Sequence, residues 1–329
     1  MPKLTPMRLA PVLAFAALVG VAVLLSGCVS DSAGAAFGPT PTATEFATPT
    51  VTPLPTIPPN QPAAVVAGTP IPGREYAQGV KQAQTATAYQ ASQQPGTPPQ
   101  TEQQIRSAVI SNLIVARVAG IYAASHGISV TNAEIQSQYD QIAAQYGGPI
   151  SFTVTLKNFG FTPATFRERI RDSLIINKVE QKVTPLPATV EQVQARHILV
   201  NTKAQADNLY AQLQKDPKQF AALAKKYSKD TGSAAQGGEL GFFGPGQMVA
   251  PFEKAAFSQP IGVIGKPVKS SYGYHIILVE ARRKVPFAQL DQTTQQTYQQ
   301  KQQTAFTNWL TKERKALHVN ILAKGVTAQ

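Results

Sequence analysis

Two histidines stand inside two apolar segments of this 329-residue chain. His197 lies in the run 195–200 (ARHILV), and His275 lies in the run 272–279 (YGYHIILV). Aliphatic and β-branched residues that run together over about five to eight positions are typical of buried strands. An imidazole forms hydrogen bonds through both ring nitrogens and titrates near neutral pH. Each histidine is therefore a candidate for a functional site and, equally, for a structural role in the core.

Metal binding and nucleophilic catalysis are both disfavoured by the spacing of these residue types. The four histidines, at positions 126, 197, 275 and 318, lack the spacing of metal ligands, so we expect no metal and no other cofactor. Asp230, Ser270 and His275 can be drawn as a catalytic triad, but no nucleophile-elbow motif accompanies them.

The segment between the two strands contains the elements that must position these side chains. A capping box at residues 202–205 predicts one helix, and Asp216-Pro217 predicts the start of a second. A glycine-rich crossing follows, with the sequences GGELGFF at 237–243 and GQMVAPF at 246–252. It places a Leu, a Met and several Phe on loops and strand edges, where a core would not need them.

Five phrases in this region occur in order and at characteristic spacing: RHIL, YSKD, GGELGFF, GQMVAPFE and PVKSSYGYHIILVE. They resemble the parvulin family of peptidyl-prolyl cis/trans isomerases over about ninety residues. The resemblance implies a four-stranded antiparallel sheet wrapped by helices, with a shallow groove that binds proline. It also implies isomerase activity on Xaa-Pro bonds.

In this resemblance the glycine-rich crossing forms an apolar slot for the proline ring. The residues that would line the slot are Leu240, Met248 and Phe252. Met248 and Phe252 stand on a segment flanked by Gly246 and Pro251, which is typical of a surface. The alternative is that all three are ordinary core residues.

The resemblance further implies a polar network under the slot. His197 and His275 match the paired histidines of the family, and Ser270 stands where the family has a hydroxyl that joins them. Many parvulins place a cysteine after the second helix, where this chain has Asp230 and Thr231. Foldase-type members carry acidic residues there, so Asp230 is the first candidate and Thr231 the second.

The part of the chain before this module predicts a helical domain. A short strand and turn at 63–71 precede four helices, two of them started by capping boxes at 101–104 and 131–134. The phrases VVAGTPIPGREY, GISVTNAEI and FGFTPATFRERIRDSLI resemble the N-terminal chaperone domain of the PrsA and SurA foldases.

A long Gln-rich helix is predicted from about residue 287 to 317. Its amphipathic pattern is not stable alone, so we expect it to pack on the helical domain. The predicted fold class is α+β. A helical chaperone domain, residues 62–192 completed by a C-terminal helix in 285–329, receives a parvulin domain at residues 193–284.

The first residues predict export and a lipid anchor. Residues 1–27 have the basic start and apolar run of a secretion signal. The sequence LSGC ends at Cys28, resembles a bacterial lipobox, and predicts lipidation there; the alternative is an uncleaved anchor. Cys28 is the only cysteine in the chain, so we expect no disulfide. Residues 28–61 are rich in Pro and Thr and predict an extended tether.

The formal net charge of +12 is compatible with nucleic acid, anionic lipids or acidic partners. No nucleic-acid recognition motif is present, so we expect no nucleic acid. The basic residues of the module, at positions 225, 226, 229 and 282–284, are interpreted as solvated faces.

These patterns predict an extracytoplasmic foldase, anchored by lipid to the bacterial cell membrane, that isomerises Xaa-Pro bonds in newly exported, unfolded polypeptides. A non-catalytic holdase with a degenerate parvulin module is the alternative, and a surface adhesin on a stalk is a third class. A homodimer is left open.

Overall fold

The computed structural model describes residues 57–93 and 100–323. Contacts divide the chain into two compact units. The first comprises the residues up to Val183 together with those from Thr307 onward, and the second comprises Thr184–Phe306. The predicted signal sequence, Cys28 and most of the tether lie outside the described residues.

The first unit is mainly helical, with a small antiparallel sheet in the order β2-β1-β7. Its elements are β1 (Pro62–Val66), β2 (Thr69–Pro72), α1 (Gly73–Gln93), α2 (Glu102–Ser125), α3 (Asn132–Gln145), α4 (Pro149–Asn158), α5 (Pro163–Val183) and the late strand β7 (Asn320–Ile321).

The capping boxes predicted from the sequence are formed at the starts of α2 and α3. In each, the threonine hydroxyl accepts a hydrogen bond from the backbone N–H of the third helical residue. The side chain of that third residue, Gln104 or Glu134, accepts the backbone N–H of the threonine in return. The N-cap residues are Thr101 and Thr131. Two orphan N–H groups are satisfied reciprocally at each helix start, which fixes the ends from local sequence.

Helix α2 is long and apolar enough to cross a membrane by length and composition alone. Its apolar residues nevertheless belong to the core of the first unit, where they pack with residues of α3, α4 and α5. Those on α2 are Ile105, Val109, Ile110, Leu113, Ile114 and Val118. The core of this unit is therefore built around α2.

The second unit contains a four-stranded antiparallel sheet in the order β4-β3-β6-β5. Its elements are β3 (Thr189–Val200), α6 (Lys203–Lys215), a 3₁₀ turn (Pro217–Gln219), α7 (Phe220–Tyr227), the one-turn α8 (Thr231–Ala234), β4 (Glu239–Phe243), α9 (Ala250–Ser258), β5 (Val268–Ser270) and β6 (Gly273–Pro286). The predicted α+β class and the antiparallel four-stranded sheet are confirmed.

The two faces of this sheet bury different helices. Ile198, Val200 and Ile276 pack with apolar residues of α6 and α7 on one face. On the other face, Val193, Ala195, Ile277 and Val279 pack with Phe243 of β4 and with α9. Both faces are covered, which explains why the apolar residues run without alternation at 198–200 of β3 and 276–279 of β6.

The C-terminal helix begins later than predicted. Residues Phe287–Gln289 form a 3₁₀ turn, and α10 spans Gln292–Ala316. Its residues up to Phe306 belong to the second unit, and those from Thr307 belong to the first. In the first unit, Leu310 packs against the core, and the ring of Trp309 lies edge-on to Tyr122 at 5.0 Å.

Two elements of the first unit were not predicted. Helix α4 follows Gly147-Gly148-Pro149, and its N-cap Gly148 has a φ of +96° and no side-chain cap. Strand β7 contributes only two residues, which pair with Ala64 and Val65 of β1.

Gly238 lies where β3 and the glycine-rich crossing meet. Its carbonyl accepts the N–H of His197 at 2.8 Å, and its φ is +81°. A β-carbon at this position would collide with the carbonyl oxygen of His197. Gly241 also has a positive φ, +68°, but open space surrounds its missing β-carbon.

These two glycines give a matched pair of stability predictions. Gly241→Ala should cost about 1–2 kcal/mol of unfolding free energy, because only the left-handed backbone is penalised. Gly238→Ala should cost more, because the collision with the backbone of β3 is added. Hydrogen exchange of the β3 and β6 amides measures both losses. Equal losses would contradict the close approach of Gly238 to β3.

Candidate active site

His197 and His275 meet on one face of the sheet. His197 is paired with Ile277 across β3 and β6, and His275 lies two residues before Ile277, so both side chains project from the same face. Their Nδ1 atoms are 3.2 Å apart, and the rings are nearly parallel, at 17°. Both residues are buried. The two histidines therefore share one hydrogen bond inside the protein.

Each histidine has a second polar partner at its outer nitrogen. The Nε2 atom of His197 lies 2.7 Å from Oδ2 of Asp230. The Nε2 atom of His275 lies 2.7 Å from Oγ of Ser270, and that oxygen also accepts the N–H of Tyr272 at 3.0 Å. The four predicted polar residues thus form one hydrogen-bonded chain. Thr231 is exposed, and Asp230 is the residue that reaches His197.

The charge of Asp230 fixes the direction of every hydrogen bond in this chain. A carboxylate only accepts, so His197 donates from Nε2 and, in its neutral form, accepts at Nδ1. His275 must then donate from Nδ1 and accept at Nε2, where Ser270 donates its hydroxyl proton. The remaining lone pairs of Ser270 accept the N–H of Tyr272. All ring nitrogens are satisfied by one consistent set of protons.

The surroundings hold Asp230 ionised and His275 neutral. Burial alone would raise the pKa of Asp230, but hydrogen bonds from Ser233 and His197 outweigh it and the pKa is lowered. Burial lowers the pKa of His275 to about 4, with His197 acting in the same direction and Asp230 opposing it. At neutral pH the chain therefore carries a negative charge at the Asp230 end and a neutral imidazole at the Ser270 end.

Local structure explains how Asp230 reaches the histidines. Ser228 and Lys229 pair with the edge of β3: the N–H of Leu199 donates to Oγ of Ser228 at 3.1 Å, and the N–H of Lys229 donates to the Leu199 carbonyl at 2.7 Å. Asp230 is then the N-cap of α8, and its Oδ1 accepts the N–H of Gly232. The carboxylate is positioned by backbone bonds on both sides.

The predicted slot residues lie in one apolar cluster next to the histidines. Phe252, on α9, is 2% exposed, and its ring lies edge-on to His197 at 5.5 Å and to His275 at 5.2 Å. Leu240 and Met248 are partly exposed and pack against the same cluster. The prediction that Phe252 lies on a surface segment is wrong, because α9 folds it into the core. An apolar floor with a partly exposed rim is the result.

Sequence reasoning missed one residue of the polar site, Ser233, and one residue that supports the neighbouring glycine-rich crossing, Arg196. Ser233 is buried and donates its hydroxyl to Oδ2 of Asp230 at 2.5 Å. Arg196 donates to Glu280 at 2.6 Å and to the carbonyl of Gln236 at 3.1 Å, which ties the glycine-rich crossing to the sheet. The signal for Ser233 was its position three residues after the N-cap, where a side chain faces back toward the cap.

The interpretation of residues 282–284 as a solvated face is wrong for Arg282, whereas residues 283 and 284 are exposed as predicted. Arg282 donates to the carbonyls of Ala256, Phe257 and Gln259 at 2.6–3.0 Å. These are carbonyl groups at the C-terminal end of α9, where a cation is favoured by the helix dipole. The guanidinium of Arg283 stacks on the ring of Phe242 at 3.9 Å. Arg282 therefore helps to hold the helix that carries Phe252.

The arrangement contains no group of three ligating side chains that could hold a metal ion within residues 57–93 and 100–323. What it offers is a shallow apolar floor next to a buried, directional hydrogen-bond chain with one anionic end. Such a site can exclude water from a bound ring and present a fixed electric field.

Two family models match successive parts of the chain. Residues 175–283 match the family model of the PPIC-type PPIase domain, and residues 45–180 match that of the SurA-like N-terminal domain. Among solved structures, peptidylprolyl isomerase (PrsA) from Bacillus cereus covers 79% of this chain and 92% of its own, with 22% identity and a TM-score of 0.43.

Curated relatives are foldases. Foldase protein PrsA from Caldanaerobacter subterraneus is 34% identical over 204 residues, which are 57% of this chain and 61% of that relative. Foldase protein PrsA 1 from Listeria innocua is 35% identical over 206 residues, 59% of this chain and 69% of the relative. The chain therefore belongs to the PrsA foldase family and carries a parvulin-type peptidyl-prolyl cis/trans isomerase domain.

Proposed function

We propose that this chain is an extracytoplasmic foldase that accelerates cis/trans isomerisation of Xaa-Pro bonds in unfolded, newly exported polypeptides. The observation that carries the proposal is the continuous chain of hydrogen bonds from Asp230 through both histidines to Ser270, placed against the cluster of Phe252.

The chemistry required is modest. Rotation about a Xaa-Pro bond crosses a barrier of ~18–20 kcal/mol and makes or breaks no covalent bond. A planar imide has more charge separation than its twisted form, so transfer to an apolar, water-poor slot favours the transition state. Lowering the barrier by about 4 kcal/mol gives roughly a thousandfold acceleration.

The proposed roles follow from the contacts of each residue. Leu240, Met248 and Phe252 form the proline slot. Asp230 supplies the negative charge that orients both imidazoles, and neither His197 nor His275 needs to act as an acid or a base. This division agrees with a reaction that transfers no proton.

The proposed location rests on the sequence of the leader. Export is predicted by residues 1–27, and lipidation of Cys28 would hold the body at the outer side of the cell membrane, with residues 28–61 as a tether. The partners would then be polypeptides that emerge unfolded from translocation.

The variant Asp230→Asn tests whether the hydrogen-bonded chain serves catalysis or only the fold. The asparagine amide has the same shape, but it replaces one acceptor oxygen of the carboxylate by a donor NH2 group and removes the negative charge. The hydrogen-bond chain then loses its fixed direction, and kcat/KM should fall by about tenfold or more. Met248→Ala should raise KM, because the rim of the slot is removed. Proline-peptide isomerisation by the full chain measures both.

The matched control for Asp230→Asn is Asp207→Asn. Asp207 pairs with Lys203 on the exposed face of α6, so the same change of charge there should leave activity unaltered. A full-length protein with no isomerase activity that still suppresses client aggregation would overturn the catalytic proposal in favour of a holdase.

The pH dependence follows from His275. Because its pKa in the folded protein is about 4, below the unfolded value of about 6.5, it stays neutral well below pH 6. The contribution of His275 to activity should be level between about pH 8 and 6 and should decline below about pH 5, as its Nε2 gains a proton that opposes Ser270. Rate profiles and NMR titration of the histidines measure this; a midpoint of His275 near 6.5 would contradict it.

The lowered pKa of His275 also makes the stability of the fold depend on pH. Between about pH 6.5 and 4 the unfolded chain binds a proton at residue 275 that the folded chain does not bind. The contribution of His275 to stability is therefore fully present above pH 6.5 and is lost as the pH falls toward 4.

Cys28→Ser tests the anchor. Without the thiol no thioether-linked lipid forms, so the protein should move from the membrane fraction to the soluble fraction after export. Sedimentation of the variant with membranes, in the same proportion as the wild type, would contradict the lipid anchor and support an uncleaved apolar segment.

A further inference from the structure

The loop between β4 and α9, residues 244–249, carries Met248 near its end, and α9 begins two residues before Phe252. Its conformation depends on side chains, because Gly244 and Gly246 leave it little intrinsic rigidity. We propose that Gln247 is a positioning residue that holds Met248 at the slot, and that the first turn of α10 is a working part of the isomerase module. The inference rests on the proposed role of Met248 in the slot.

The carboxamide of Gln247 has one bond inside the loop and two outside it, the longer of which runs from Nε2 to Oδ2 of Asp291 at 3.5 Å. Its Oε1 accepts the N–H of Gly244 at 2.8 Å, which closes the turn before Met248. Its Nε2 donates to Oγ1 of Thr294 at 2.9 Å, in the first turn of α10. One amide therefore joins the loop to a helix that begins 45 residues later in the chain, counted from Gln247 to Gln292.

The direction of these bonds is determined by Asp291, the residue before α10. Its Oδ1 accepts the N–H of Thr294 at 2.9 Å, and its Oδ2 accepts the hydroxyl proton of Thr294 at 2.7 Å. The hydroxyl proton is thus committed, so Thr294 offers Gln247 only a lone pair. Only a donor satisfies that lone pair, and the amide of Gln247 supplies it.

The anchor point is buried and rigid. Thr294 is 2% exposed. Hydrogen bonds donated by Thr294 lower the pKa of Asp291, so this carboxyl group is anionic at neutral pH. On the other side of Gln247, the N–H of Gly246 donates to Oε2 of Glu253 at 2.6 Å, which ties the loop to α9.

The geometry places Met248 between two fixed points. The side chain of Gln247, the residue before Met248, binds α10. The side chain of Glu253 binds the loop to the first turn of α9. The PPIC-type match ends at residue 283, before α10 begins at Gln292. The structure therefore assigns a role in substrate positioning to a helix start that lies beyond the matched domain.

Gln247→Glu in the full-length protein tests this assignment. The new carboxylate still accepts from Gly244, but it faces the lone pair of Thr294 and the carboxylate of Asp291. The loop should lose its anchor, and KM for a proline peptide should rise by about tenfold while kcat stays within about twofold, since the polar network is untouched. The dissociation constant of the same peptide, measured by NMR titration, should rise in parallel.

The double variant Gln247→Glu with Asp291→Asn should restore KM. The Asn oxygen keeps the cap on Thr294, its amide donates to the new carboxylate, and the hydroxyl of Thr294 turns to donate there as well. Gln299→Glu is the matched control, because it adds the same charge to an exposed position of α10.

The outcomes separate this proposal from the proposed function. Wild-type protein without isomerase activity overturns the function, and the peptide dissociation constants still decide the role of Gln247. If Gln247→Glu binds and turns over the peptide like Gln299→Glu, the positioning role is wrong. If the added Asp291→Asn substitution does not restore KM, the positioning role is also wrong. The effect of Gln247→Glu is then a general loss of folding, which a second substitution at the partner residue does not repair.

Discussion

The hydrogen bond between Asp230 and His197 determines the state of the whole site. Four side chains from three parts of the module meet in a buried space, and two identical imidazoles face each other through the same atom, Nδ1. Such a pair has two equivalent arrangements of protons. The ionised carboxylate at one end removes that equivalence, since it can only accept, and the arrangement extends through His275 to Ser270. Without this charge, the site would have no fixed polarity.

The buried network in turn depends on the apolar layer that covers it. Phe252 lies edge-on to both imidazoles, so α9 excludes water from the ring nitrogens that define the polarity. Arg282 holds the C-terminal end of that helix through three carbonyl groups. The polar network and the apolar cluster of Phe252 are therefore two sides of one packed layer, and a change in the position of α9 alters both.

Local sequence was sufficient for features that depend on local physics. The helix starts at Thr101 and Thr131 follow from capping boxes, and the strands of His197 and His275 follow from apolar runs bounded by turns. Features that depend on distant partners were not predictable in the same way. Strand β7 exists only because β1 pairs with it, and α4 follows a Gly-Gly-Pro sequence that locally favours a loop. The sequence around Arg282 is typical of a charged surface, and its carbonyl partners at the end of α9 are distant in the chain.

The candidate site shows the same division. The identities of His197, His275, Asp230 and Ser270 came from a resemblance, while the direction of their hydrogen bonds needed the distances between them. That direction bears on mechanism: a reaction that moves no proton gains nothing from a titrating pair, but it does gain from dipoles that are already oriented before the substrate binds. The lowered pKa values of His275 and Asp230 keep the imidazole of His275 neutral and the carboxylate charged over the physiological range. The site is thus suited to hold a constant field around a rotating bond rather than to exchange protons with it.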